Sequence, residues 1–278
     1  MLPIPTRPLD RLLAVALLIA ATAAAAKPPP EQPDNLLNDI LTLQAGIESS
    51  SNHTTIRYDS AAGTPGTVID AENDLGLPSR KLIGRAELMF RMRNRHRVRI
   101  GNYYLPLDRQ ATTTLQKTIN FGNTTYNVGD VVSSELKMRL LAITYSYSFV
   151  KNDRAELAAS LGFDVVGFEA AATVAARLRT ETEDHSAPAP LIGLDGTYRM
   201  SSRWYAEARA QYLKVNVQNV DGTLETFEAN VLYRLSPNVT FGLGYSGFKV
   251  DVDSTKPTES GIFQLRSTGP QLFARVGF

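Results

Sequence analysis

The sequence predicts an all-β fold: a closed, antiparallel, up-and-down β-barrel of about ten strands that crosses a membrane. Three observations predict it. Apolar and polar residues alternate through successive segments, down to the closing run in which Leu272, Ala274, Val276 and Phe278 share one face. An export signal opens the chain. No later stretch approaches the ~18 continuous apolar residues of a spanning helix. In hydrocarbon the remaining solution is a closed sheet, because an open edge leaves backbone groups unpaired.

Residues 1–26 read as a secretory signal. Arg7 and Arg11 supply the positive region, Leu12 to Ala25 the apolar region, and Ala24-Ala25-Ala26 the small-residue cleavage site. The apolar run falls short of the ~20 residues needed to span a bilayer as a helix. Residues 27–39 then form a Pro-rich periplasmic leader, with Pro28-Pro29-Pro30 and Pro33, and residues 40–278 form the barrel. Without the signal the chain has 27 basic and 27 acidic side chains, so no basic excess supports nucleic-acid binding. The absence of cysteine excludes disulfides, thiol catalysis and thiolate metal sites.

The strands follow in order, each with a lipid-facing and a lumen-facing set. The first, near 40–49, sets Leu41, Leu43, Ala45 and Ile47 against Thr42, Gln44, Gly46 and Glu48. The second, near 82–92, sets Leu82, Ala86, Leu88 and Phe90 against Arg85, Glu87 and Arg91, and turns at Arg93-Asn94-Arg95. The third sets Val98, Ile100 and Tyr104 against Arg97 and Arg99. In the fourth, Leu141, Ile143, Tyr145, Tyr147 and Phe149 are apolar, but upstream the apolar set is Leu136, Met138 and Leu140. That flip predicts a β-bulge at Leu140-Leu141. After the turn Lys151-Asn152-Asp153, the fifth sets Leu157, Ala159, Leu161, Phe163 and Val165 against Glu156, Ser160, Gly162 and Asp164.

The sixth sets Ile192, Leu194, Tyr198 and Met200 against Gly193, Asp195, Thr197 and Arg199. The seventh sets Trp204, Ala206, Ala208, Ala210 and Tyr212 against Tyr205, Glu207, Arg209 and Gln211. The eighth sets Phe227, Ala229, Val231, Tyr233 and Leu235 against Glu228, Asn230 and Arg234; the ninth sets Val239, Phe241, Leu243 and Tyr245 against Thr240, Gly242, Gly244 and Ser246. The tenth, about 261–278, contains Pro270, which suits only a bulge or a position before the ladder starts. Connections after even strands are short and those after odd strands longer, notably 59–80 and 109–133, the asymmetry of periplasmic turns and outside loops. Eight or twelve strands are the alternative counts.

The signal, the alternating strands, the tight turns and the closing Ala274-Arg275-Val276-Gly277-Phe278 resemble the small outer-membrane β-barrel proteins, the group of OmpA, OmpX and OmpW. The resemblance is architectural and covers roughly 40–278. It implies a Gram-negative outer membrane, insertion by the barrel-assembly machinery, contact with outer-membrane lipids and lipopolysaccharide, and roles from anchoring to small-solute passage. Unlike the OmpA pattern, no soluble peptidoglycan-binding domain follows the barrel, which counts against cell-wall tethering.

The predicted lumen collects Glu48, Arg85, Glu87, Arg91, Arg97, Arg99, Glu156, Asp164, Asp195, Arg199, Glu207, Arg209, Glu228, Arg234 and Arg275. In so narrow a barrel these charges are paired or hydrated. They form either a salt-bridged plug or a narrow hydrophilic pore, which Arg85, Arg91, Arg97 and Arg99 would bias toward anions. Phe149, Tyr198, Trp204, Tyr233 and Phe278 fall near the short-turn ends as an aromatic girdle, and Tyr104, Tyr212 and Tyr245 toward the other ends.

The loop Asp70-Ala71-Glu72-Asn73-Asp74-Leu75-Gly76 starts like a calcium loop, but Leu75 and Lys81 stand where Gly and Glu are needed. Asp184-His185-Ser186 joins acid, base and hydroxyl on the loop after the fifth strand, yet sequence neighbours do not converge as a triad. The expectation is a monomeric barrel without catalysis, cofactor or metal, serving a structural role or passing small hydrophilic solutes. The alternatives are a barrel enzyme acting on lipopolysaccharide or peptides, and surface adhesion through the outside loops.

Overall fold

The computed structural model describes residues 35–174, 179–217, 219–256 and 259–278, leaving aside the side chains of 102–110, 135–140, 166–174, 179–189, 217 and 259. The signal segment and residues 27–34 lie outside the described residues. Ten long strands form the wall: β1 (Leu41–Tyr58), β3 (Arg80–Arg93), β4 (His96–Thr114), β7 (Val131–Lys151), β8 (Ala155–Val174), β9 (Arg179–Arg199), β10 (Trp204–Val217), β11 (Val220–Arg234), β12 (Val239–Lys256) and β13 (Glu259–Gly277). Each pairs antiparallel with its neighbour, and β13 returns to β1, from Thr42↔Gly277 to Tyr58↔Gly261. The sheet is closed. Closure removes the unpaired edge that hydrocarbon forbids.

The wall is inside-out relative to a soluble protein. Leu88, Phe90, Ile143, Phe163, Leu194 and Leu243 are exposed, while Thr42, Gln44, Glu48, Ser146, Asn230 and Thr240 are buried. A soluble barrel would reverse these sets. The chain is a transmembrane β-barrel. Its short turns, at 94–95, 152–154, 200–203 and 235–238, lie at one end, the periplasmic end in barrels of this class.

Four features differ from the sequence reading. The bulge expected at Leu140-Leu141 is absent: Leu140↔Val166 and Leu141↔Val165 continue one ladder, as do Tyr103↔Leu140 and Asn102↔Leu141. Register shifts fall instead at Leu107/Ala111 and Ser148/Val150. The ladder runs unbroken through Leu140-Leu141, and the shift in this 21-residue strand comes at Ser148/Val150, near the short turn.

The connections expected to be long loops after the fifth, seventh and ninth strands are largely strand, because the wall continues past the lipid band. Asp184-His185-Ser186 accordingly lies within β9, with His185 opposite Phe168, and in no loop. Pro270 sits inside both ladders, opposite Tyr245 on β12. On the β1 side, pairing lapses between Glu48↔Gln271 and Ser51↔Thr268 and resumes in the same register, so the missing N–H costs a local gap and no bulge.

Two outer connections fold into a cap. In 59–79 a short β2 (Ile69–Asp70) adds to β1 through Thr55↔Asp70 and Ile56↔Ile69, followed by the single-turn helix α1 (Ala71–Asp74). In 115–130 the hairpin β5 (Ile119–Phe121) and β6 (Thr124–Tyr126) stands apart from the wall. Ile69, Leu115, Ile119 and Val132 form a buried core between the two segments, edged by Leu75, Phe121 and Tyr126. The Gly122 N–H donates to the Tyr58 carbonyl at 2.9 Å, and Thr67 N–H to the Asn120 carbonyl at 2.8 Å.

Candidate functional site

The interior is layered along the barrel axis. At the periplasmic end, residues 35–39 turn back across the mouth. Leu36–Asn38 make one 3-10 turn capped by the Asn35 side chain, and Leu36 packs with Tyr205, Leu232 and Phe273. Asp39 receives a two-pronged ion pair from Arg234, at 2.8 and 2.9 Å. Arg234 is only 1% exposed. This segment, read from sequence as part of the leader, reaches into the barrel mouth.

Above it lies a layer of charge. Arg91 on β3 binds Glu156 on β8 through two bonds of 2.8 and 2.9 Å. Arg97 on β4 pairs with Asp195 on β9 at 2.5 Å and approaches Glu156 at 3.5 Å. Arg99 meets Glu87 at 3.0 Å, and Arg209 on β10 reaches the same carboxylate at 3.0 Å. Arg85 bridges Glu48 on β1, at 3.3 Å, and Glu228 on β11. Arg275 on β13 binds Glu207 at 3.0 Å and Gln44 at 2.8 Å.

Among the described residues, counting Asp39 and Arg234, seven arginines face seven carboxylates in this layer. Formal charge balances within this set, and Arg85, Arg91, Arg97 and Arg99 each stand beside a carboxylate. Several pairs span the lumen: β3 and β8 are separated by β4 and β7, and β10 stands across from β3. Two of the predicted lumen charges stand outside the layer. Arg199 is half-buried at the periplasmic mouth and donates to the Ser201 carbonyl at 3.2 Å. Asp164 is buried on β8, and its Oδ1 has no hydrogen-bond partner among the described residues.

Between the N-terminal turn and the charge layer there is a cavity of about 20 Å³, bordered by Leu36, Leu37, Arg91, Arg97, Glu156 and Arg275. That is room for about one water molecule. Outward of the charges the lumen becomes apolar. Ile83, Leu191, Leu224, Val250 and Leu265 from the wall enclose Ala71 and Leu77 from the 59–79 segment, with Ile56, Phe248 and Phe263 packed around them. The cap thus inserts apolar side chains into the barrel's outer mouth.

Sequence reasoning missed Asp39, Ala71 and Leu77 as interior groups. None carries a local signal, since each lies outside an alternating segment. On the outer wall, Phe149, Tyr198, Trp204 and Phe278 are exposed beside the periplasmic turns. Tyr233 is half-buried against Trp204, ring centroids 4.9 Å apart. Tyr212 and Tyr245 are exposed higher up, and the side chain of Tyr104 lies outside the described residues.

No family model matches the chain, and no curated protein sequence does. Among solved structures, it is similar to the outer membrane protease OmpT from Escherichia coli, with TM-score 0.53 and 10% identity over 89% of this chain and 99% of that one. Neisserial surface protein A gives TM-score 0.34 and 14% identity over 86% and 97%. The P. putida toluene transporter TodX gives 0.32 and 9% over 90% and 91%. The likeness to OmpT is one of fold: an outer-membrane barrel.

Proposed function

We propose that this protein is a structural, non-conducting outer-membrane barrel whose closed lumen supports a folded cap on the cell surface. The observation that carries this reading is the cross-lumen arginine–carboxylate layer, covered by the N-terminal turn on one side and by the apolar cluster on the other. Water-filled pores keep a continuous polar path, and small barrels are otherwise filled by side chains. Here the polar layer is neutral and cross-linked, and the layer beyond it is apolar.

On this reading the barrel is exported by a cleaved signal, inserted by the assembly machinery, and sits as a monomer among lipopolysaccharide and phospholipid, without catalysis. Protease activity belongs to the OmpT neighbour; in this chain Asp184, His185 and Ser186 are consecutive on one strand, whose positions alternate between faces.

The test is single-channel recording of refolded residues 27–278 in a planar bilayer, with heat-dependent gel migration as the check on folding. A folded, silent barrel is expected. Discrete, reproducible conductance steps that change when Arg97 or Arg99 is neutralised would overturn the reading in favour of a narrow porin-like channel.

A further inference from the structure

On the outer face of the wall, outside the lumen and beyond the lipid band, three metal-binding side chains from three elements converge. His53 stands on β1, Asp70 ends β2, and Glu72 lies in α1. The His53 Nδ1 is 4.0 Å from Asp70 Oδ2 and 3.9 Å from Glu72 Oε2. Those separations are too long for hydrogen bonds. They are within the span of two ligands that share one ion, since ligands ~2.0–2.2 Å from a metal stand at most ~4.4 Å apart. Among the described residues, three such donor atoms lie within 4.8 Å of one another only here.

The carboxylates are held from behind. The Thr54 N–H on β1 donates to Glu72 Oε2 at 2.8 Å. This lies just past the point where β3 pairing begins at Ser51↔Arg80. Asp70 accepts from the Asn73 N–H at 2.9 Å and from Asn73 Nδ2 at 2.8 Å. Bonds of this kind orient ligating carboxylates. Glu72 is nearly buried, whereas the His53 side chain is 66% exposed and free to swing the few tenths of an ångström that coordination needs.

One imidazole nitrogen with two carboxylate oxygens is a borderline donor set. It suits Zn²⁺ or a neighbouring divalent transition metal better than Ca²⁺, which takes six to eight oxygens. We propose that His53, Asp70 and Glu72 form a divalent transition-metal site that fastens the outer cap to the barrel wall. His53 belongs to the wall, and both carboxylates belong to the segment whose Ala71 and Leu77 close the outer mouth, so a bound ion links the two. Nearby cations moderate its affinity. Arg266 stands directly opposite His53 on β13, and Lys117 is 2.6 Å from Asp74, which in turn accepts from the Asp70 N–H.

The test is a calorimetric titration of the refolded mature barrel in detergent with Zn²⁺ alone, at pH 7.5 and 5.5, backed by the visible absorption of added Co²⁺. One equivalent is expected at pH 7.5, with weaker uptake at pH 5.5, because protons compete with the metal for its ligands. His53→Ala and Glu72→Gln each weaken it at least about tenfold while heat-dependent gel migration stays unchanged, and Arg266→Gln strengthens it. His53→Gln, which keeps most of the side-chain volume, serves should the alanine variant misfold. Absence of stoichiometric Zn²⁺ uptake by the wild type overturns the proposal. So does uptake that the folded His53 and Glu72 variants retain in full.

Discussion

Glu156→Gln probes whether the charge layer is dry. Glu156 is 1% exposed and accepts both prongs of Arg91, at 2.8 and 2.9 Å, and the Ser148 hydroxyl at 2.5 Å. Arg97 stands 3.5 Å away. The amide keeps the shape, removes the charge and turns an N–H₂ donor toward one of two guanidinium groups. Arg91 then keeps at most one bond to the amide oxygen, beside the carbonyls of Asp39 and Asn94 at 3.2 and 3.0 Å. Breaking a buried pair in this way costs ~3–5 kcal/mol, whereas a hydrated pair contributes ~0–1 kcal/mol.

At ~1.4 kcal/mol per tenfold, the dry layer predicts a fall of two to three and a half decades in the folding constant. Urea unfolding in lipid vesicles reads it out, with the single tryptophan, Trp204, at the membrane wall as reporter. Replacing both partners, Arg91→Met with Glu156→Leu, restores at least about half of the loss, because no charge is stranded. A Glu156→Gln cost below ~1 kcal/mol would refute the reasoning, since it would mean that water reaches the layer and that the lumen is an open path.

Asp39→Asn unlatches the N-terminal turn. It leaves Arg234, 1% exposed, without its carboxylate, and should cost ~3 kcal/mol and speed proteolysis within 35–40. Unchanged cleavage would contradict the docking. Gly242 lies under the Phe273 ring, so that an added Cβ would meet Phe273 Cε1 at 2.7 Å. Gly242→Ala should cost ~1–3 kcal/mol by overpacking, with Phe273→Leu relieving part of it in the same unfolding assay.

The cap should also be acid-sensitive in a defined window. Burial pushes Asp59 upward, but the Gly66 N–H, the Ser260 hydroxyl and the Arg57 guanidinium hold it below its ordinary value of 3.8, and Asp70 is lowered as well. A carboxyl depressed on folding stabilises fully above its unfolded pKa, and that contribution is lost as pH falls through the folded one. With metal removed by chelator, hydrogen-exchange protection of 59–79, corrected for intrinsic rates, should hold from pH 7 to 5 and decline below about 4. A decline between 7 and 5 would show that other groups govern the cap.

The ten-stranded wall was legible because a strand's two faces are written every second residue, and the lipid demands an apolar residue at each outward position. Leu88 and Phe90 against Glu87 and Arg91 needed no distant information. The limits of the strands were not legible. Past the lipid band the outward face no longer requires apolar residues, so period two fades although the ladder continues, as in the outer half of β9.

Partnership was not legible either. Arg91 and Glu156 are 65 residues apart and Arg85 and Glu228 are 143 apart; alternation shows that each points inward and nothing about which it meets. The same holds for Asp39, for the apolar cap residues Ala71 and Leu77, and for His53 with Asp70 and Glu72, which a two-residue strand and one helical turn bring together. The sequence by itself determined which face each wall residue takes, because that depends on parity along one strand. Only the tertiary structure decided which charges cancel and what closes the two mouths, because those depend on closure of the sheet, which sets distant strands face to face.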